Sequence, residues 1–118
     1  MKLINIPRAG GKTQYLINKA ARTGKPILVA TISQKKNLIY NIKSLNIDPE
    51  SVEIITVREI LTNSIGRKYT IPTVEIMKRD YLVDELPLVF EEMMRILTQS
   101  TIDTATLTVP MTENLYEV

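Results

Sequence analysis

Apolar residues in this 118-residue chain fall into short runs separated by amphipathic stretches, the alternation that a parallel sheet covered on both faces leaves in a sequence. Lys2-Leu3-Ile4-Asn5-Ile6 reads as a short buried strand. From Thr13 to Arg22, Tyr15, Leu16, Ile17, Ala20 and Ala21 recur with no internal breaker, which predicts a helix stopped by Gly24 and Pro26. Pro26 to Thr31 is a second strand-like run. Ser33 to Leu45 predicts a second helix, with Ser33 as its cap and Leu38, Ile39, Ile42 and Leu45 as its apolar face. Asn46 to Glu50 reads as a turn and Val52 to Ile55 as a strand. Thr56 and Glu59 then have capping-box spacing before a short helix that carries Ile60 and Leu61 and stops near Gly66. Beyond Pro87, Leu88 to Leu97 predicts another helix, with Glu91 and Glu92 early, where the helix dipole favours acids. Thr104, Thr106 and Thr108 alternate with Ala105, Leu107 and Val109, as in a strand with one polar face.

Gly66 to Asp80 fits this alternation least well and reads as an inserted hairpin or loop. Arg67, Lys68, Lys78 and Arg79 flank the β-prone stretch Thr70 to Ile76. They form either a basic surface for nucleic acid or a neighbouring subunit's nucleotide, or solvated charges guarding an edge strand, a position that suits Pro72.

Length and composition predict one domain over residues 1–118. With 44% hydrophobic and 24% charged residues, the chain can bury a core, so wholesale disorder is not expected. Neither cysteine nor histidine is present. That removes disulfides, thiolate chemistry, Cys/His zinc sites and a histidine base together. No apolar run is long enough for a membrane span or a signal peptide, and a cytoplasmic protein is expected. A net charge of +2 is too mild to argue for DNA by itself.

The chemistry concentrates in two places. In Asn5-Ile6-Pro7-Arg8-Ala9-Gly10-Gly11-Lys12-Thr13, a Gly-Lys-Thr follows an apolar run and precedes a helix, the order of a phosphate-binding loop. Glycine lets backbone N–H groups close around phosphate oxygens, lysine reaches the terminal phosphates, and the threonine hydroxyl joins a Mg²⁺ shell. The usual spacing wants a glycine where Ile6 stands, and Gly10-Gly11 can restore the missing backbone freedom. The nucleotide-binding set is therefore Pro7, Arg8, Ala9, Gly10, Gly11, Lys12, Thr13 and Gln14. The second place is Tyr81-Leu82-Val83-Asp84-Glu85, an apolar run ending in two carboxylates, as a Walker B strand does. In that reading Thr13 and Asp84 hold Mg²⁺ and Glu85 is the general base; standing alone, the same pair simply ends a strand at the solvent edge.

Together these motifs resemble a P-loop NTPase of the additional-strand, catalytic-glutamate class, near the ATPase core of phage terminase large subunits and helicases. The resemblance implies a reduced three-layer, RecA-like α/β fold with a mostly parallel sheet. It also implies ATP as the nucleotide, Lys12, Glu85, Arg8 and Thr108 as catalytic residues, and DNA, a homo-oligomer or a larger partner protein as company. Arg8 corresponds to the arginine such loops carry, and Thr106 to Pro110 to a strand ending in a polar coupling residue, Thr108. A phage-like origin in a bacterial cytoplasm accompanies the likeness. Three functions stay open: a small ATPase coupled to DNA handling, a nucleotide-binding switch or adaptor without turnover, and a nucleotide or small-molecule kinase.

Overall fold

The computed structural model describes residues 1, 3–5, 11–64, 79–106 and 112–114. Strand and helix alternate along them: β1 (Leu3–Asn5), α1 (Lys12–Thr23), β2 (Ile27–Val29), α2 (Ile32–Ser44), a 3₁₀ turn at Pro49–Ser51, β3 (Ile54–Thr56), α3 (Val57–Ser64), β4 (Leu82–Val83), α4 (Leu86–Thr98) and β5 (Thr112–Asn114). β2 lies between β3 and β4 in a parallel sheet, with Ile27 opposite Ile54 and Leu82, and Leu28 opposite Ile55 and Val83. β1 and β5 form a second parallel pair, in which Leu3 faces Thr112 and Asn5 faces Asn114.

A parallel sheet needs cover on both faces, which is why Ile27, Leu28 and Val29 are apolar without alternation and all buried. Ile27, Val29 and Ile54 pack with Ile17 and Ala20 of α1 and with Leu38 and Ile42 of α2. The alternate residues Leu28 and Ala30 pack with Val57 and Val89, beside Ile60, Leu61, Met93 and Ile96 of α3 and α4. The result is a small α/β structure with helices on both faces of the sheet. Ile17, Ile27 and Ile42 are fully enclosed, and each such burial contributes about 1.5–3 kcal/mol.

Several sequence expectations shift. The cap of α2 is Thr31, not Ser33, because the chain leaves β2 extended at Thr31 and its hydroxyl accepts from the Gln34 N–H at 3.3 Å. Ser33 lies within the helix. Pro87 stands inside the first turn of α4, which begins at Leu86, because proline's missing N–H costs nothing there. The third strand starts at Ile54 rather than Val52. Residues 101–106 have no regular structure, so the Thr104-Ala105-Thr106 alternation is not strand; all three are exposed, leaving no apolar face to bury. Among the described residues of the C-terminal region, strand is found at β5, while residues 107–110 of the expected Thr106 to Pro110 strand lie outside them. Residues 65–78, most of the expected insertion, lie outside the described residues, as do 107–111 with Thr108. The Thr56–Glu59 capping box forms as expected: Thr56 Oγ1 accepts from the Glu59 N–H at 3.2 Å and Glu59 Oε2 accepts from the Thr56 N–H at 3.3 Å.

Candidate functional site

α1 begins directly after Gly11, whose φ of 85° and ψ of 23° are left-handed. Glycine takes that conformation without penalty, and a Cβ there would meet nothing within 4 Å, so the requirement is torsional rather than spatial. The Gly11 carbonyl accepts the first helical bond, from the Tyr15 N–H at 2.9 Å. No side chain caps this end and the first turn holds no acid. The leading N–H groups and the positive end of the helix dipole at such a start suit an acceptor from outside the helix.

Lys12 opens α1 and pairs with Glu85, 73 residues away in sequence, at the end of β4. Both side chains are partly exposed, so the pair exchanges with solvent and contributes little to stability. Glu85 is the N-cap residue of α4 in position only: no side-chain cap bond forms, and its φ of 58° and ψ of 69° are left-handed in a residue that carries a Cβ. That conformation costs about 1 kcal/mol or more, and it turns the carboxylate away from its own helix toward Lys12.

Asp84 sits between. Its N–H donates to the Leu28 carbonyl at 3.1 Å, extending the β2–β4 ladder one residue past Val83 and fixing the backbone. Its Oδ1 is enclosed and has no hydrogen-bond partner among the described residues. Burial raises the Asp84 pKa above the ordinary carboxylate value, and the nearby Lys12 charge opposes that rise. An enclosed, unsatisfied carboxylate oxygen is costly to the folded state.

Of the residues singled out from sequence, Gly11, Lys12, Asp84 and Glu85 converge at the C-terminal end of β4 and the start of α1, where open parallel sheets bind ligands. Thr13 follows Lys12 in the first turn and is partly buried, while Gln14 points to solvent. Pro7, Arg8, Ala9, Gly10 and Thr108 lie outside the described residues. Sequence reasoning missed that Glu85 is also a helix start; Pro87, two residues on, is the signal that reveals it. A separate groove of about 250 Å³ between the start of α2 and α4 is lined by Thr31, Gln34, Leu88, Glu91 and Arg95 among others, and by none of the site residues. Among the described residues no helix is long and apolar enough to cross a membrane. Comparison with protein-family models, curated proteins and solved structures finds no match to this chain.

Proposed function

We propose that this protein binds a magnesium nucleoside triphosphate where α1 meets the end of β4, and hydrolyses it as a small P-loop ATPase of RecA-like architecture. One observation carries the reading: Lys12, at an uncapped helix start behind a left-handed glycine, meets the Asp84-Glu85 pair that ends a parallel strand. The leading N–H groups of α1 and the Lys12 ammonium suit phosphate oxygens. The unpartnered Asp84 Oδ1 suits a hydrated hard cation, with the Thr13 hydroxyl as a second oxygen donor. The bound nucleotide would supply the electrophilic phosphoryl group. Glu85 would orient a water and take its proton once Lys12 is drawn to phosphate. In this reading β5, which follows β4 in sequence and pairs with β1, would serve as the additional strand of the class in place of Thr106 to Pro110.

Two further parts of the reading come from the resemblance. Arg8, or an arginine from a partner copy, would stabilise the transferring phosphate, a contribution worth about 10³–10⁵ in rate in related enzymes. Coupling to DNA in a phage-like cytoplasmic setting is the process in which such a domain would work.

The test is Mg²⁺-dependent ATP hydrolysis by the purified chain, with Glu85→Gln as background and DNA added in a parallel arm. Turnover above that background is expected. A chain that shows no thermal shift with Mg-ATP at millimolar concentration overturns the reading. The second reading, a nucleotide-binding switch without turnover, draws on the Lys12–Glu85 pair itself, which engages the base. Tight binding with identical phosphate release by the parent and Glu85→Gln would select it.

A further inference from the structure

The net charge of +2 conceals a segregation. The first 47 residues contain nine lysines and arginines and no acid, whereas the remaining 71 contain six cations and thirteen acids. Six of the nine lie on α1 and α2, Lys12, Lys19 and Arg22 on the first and Lys35, Lys36 and Lys43 on the second, and these two helices pack side by side on the same face of the sheet. Lys12 and Lys35 on these helices are engaged by Glu85 and Glu59. Lys19, Arg22, Lys25, Lys36 and Lys43 form no ion pair with a carboxylate among the described residues. Concentrated, unpaired like charge works against the folded state, so its natural complement is an external polyanion.

The spacing sharpens the choice of polyanion. On α2, Lys36, Tyr40 and Lys43 fall at i, i+4 and i+7, one stripe, and Tyr40 is 73% exposed. On α1, Tyr15, Lys19 and Arg22 repeat that spacing, with the Lys19 ammonium 5.9 Å from the Tyr15 ring centre. The other outward positions include the amides Gln14, Asn18, Asn37 and Asn41, all exposed. A helix lying on a lipid surface turns an apolar face outward, but here the apolar faces, Ile17 with Ala20 and Leu38 with Ile42, are committed to the core. Cations spaced for phosphates, amides, and an exposed ring for a base are the attributes of a single-strand surface.

We propose that the outward face of α1 and α2 binds single-stranded nucleic acid, with Lys19, Arg22, Lys36 and Lys43 on phosphates and Tyr40 stacked on a base. The residues are separate from the nucleotide site, so this inference stands or falls without it. The test is fluorescence anisotropy of a labelled single-stranded oligonucleotide with the whole chain, in buffer free of nucleotide and magnesium, across a salt series. Joint replacement of the four cations by alanine should weaken binding at least about ten-fold and flatten the salt dependence by about 0.7 in log–log slope for each phosphate no longer neutralised. Tyr40→Ala should weaken binding about ten-fold at unchanged salt slope, and Tyr40→Phe should restore it. Glu91→Gln, on the opposite layer, should bind as the parent does, and far-ultraviolet circular dichroism should show all variants folded. No binding by the parent, or equal binding by the four-cation variant, overturns the proposal. So does binding to anionic phospholipid vesicles in place of the oligonucleotide, or preference for duplex with Tyr40→Ala neutral.

Discussion

The four α-helices among the described residues begin in two different ways. α2 and α3 start behind threonines, Thr31 and Thr56, whose hydroxyls accept from the N–H three residues on, and Gln34 and Glu59 reach back to the chain before them. α1 and α4 start behind left-handed residues, Gly11 and Glu85, and neither has a side-chain cap. The capped starts are satisfied from within and contribute stability. The uncapped starts meet each other through Lys12 and Glu85 and lie beside the unpartnered Asp84 oxygen; at α4 the Leu88 and Val89 N–H groups donate to the Glu85 carbonyl, so the start of α1 is the one that offers N–H groups to a ligand. Both starts forgo a side-chain cap worth about 1 kcal/mol, where the threonine starts keep theirs.

The largest expected effect probes the uncapped pair. Lys12→Ala should lower nucleotide affinity on the order of a hundred-fold, the scale of removing charge-assisted hydrogen bonds to phosphate, while thermal unfolding of the free protein barely moves. Titration calorimetry beside a melting curve checks both halves, and unchanged affinity would remove the phosphate-site assignment.

At the capped pair the effect reverses in kind. Thr56 is almost fully buried, so Thr56→Val keeps its shape and deletes only the hydroxyl; about 1–2 kcal/mol of stability should go, with nucleotide affinity intact. Denaturant unfolding measures this directly. A stability loss for Lys12→Ala as large as that for Thr56→Val would erase the distinction between the two kinds of start.

Asp84→Asn should stabilise the fold by about 1 kcal/mol at neutral pH, since it removes an enclosed charge without a partner, and should abolish the magnesium-dependent part of nucleotide binding. The pH dependence follows from the raised pKa of Asp84. The folded state holds that proton more tightly than the unfolded chain does, so the wild type gains stability relative to Asp84→Asn as pH falls through the raised folded value toward the ordinary carboxylate value. The advantage of the variant should therefore shrink on acidification. A constant difference from pH 7 to pH 4 would assign its origin to something other than the carboxylate charge.

The smallest effect is expected at Glu85→Gly. Relief of the left-handed conformation is largely offset by loss of the exposed Lys12 pair and by glycine's extra freedom in the unfolded chain, leaving stability within about 0.5 kcal/mol of the parent. Hydrolysis should nevertheless fall to background. A variant that hydrolyses at the parent rate would show that Glu85 is not the base.

Much of the layout was legible in the sequence because it depends on local pattern. The apolar run Pro26 to Thr31, the Leu38 and Ile42 spacing and the Thr56–Glu59 box each specify their element through neighbours within about one helical turn or a few strand residues. The errors fall where an element is decided by something distant. Ser33 lost the cap to Thr31 because β2 delivers the chain extended to Thr31, and Thr104 to Thr106 stay irregular because no surface covers them. The net charge of +2 gave no sign of the acid-free stretch over the first 47 residues, because a sum over residues carries no position.

The sequence by itself determined an alternating α/β order, the glycine that permits the α1 start, and the two short motifs with chemical content, since each rests on torsional preference or periodicity. Only the tertiary structure decided that Lys12 meets Glu85, that Asp84 is left with an unpartnered oxygen, and that α1 and α2, which carry Lys19, Arg22, Lys36 and Lys43, share one face of the sheet. Those facts arise from the register of β2 with β4 and from the packing of α1 and α2 on a common sheet face, long-range contacts whose geometry no local run of residues contains.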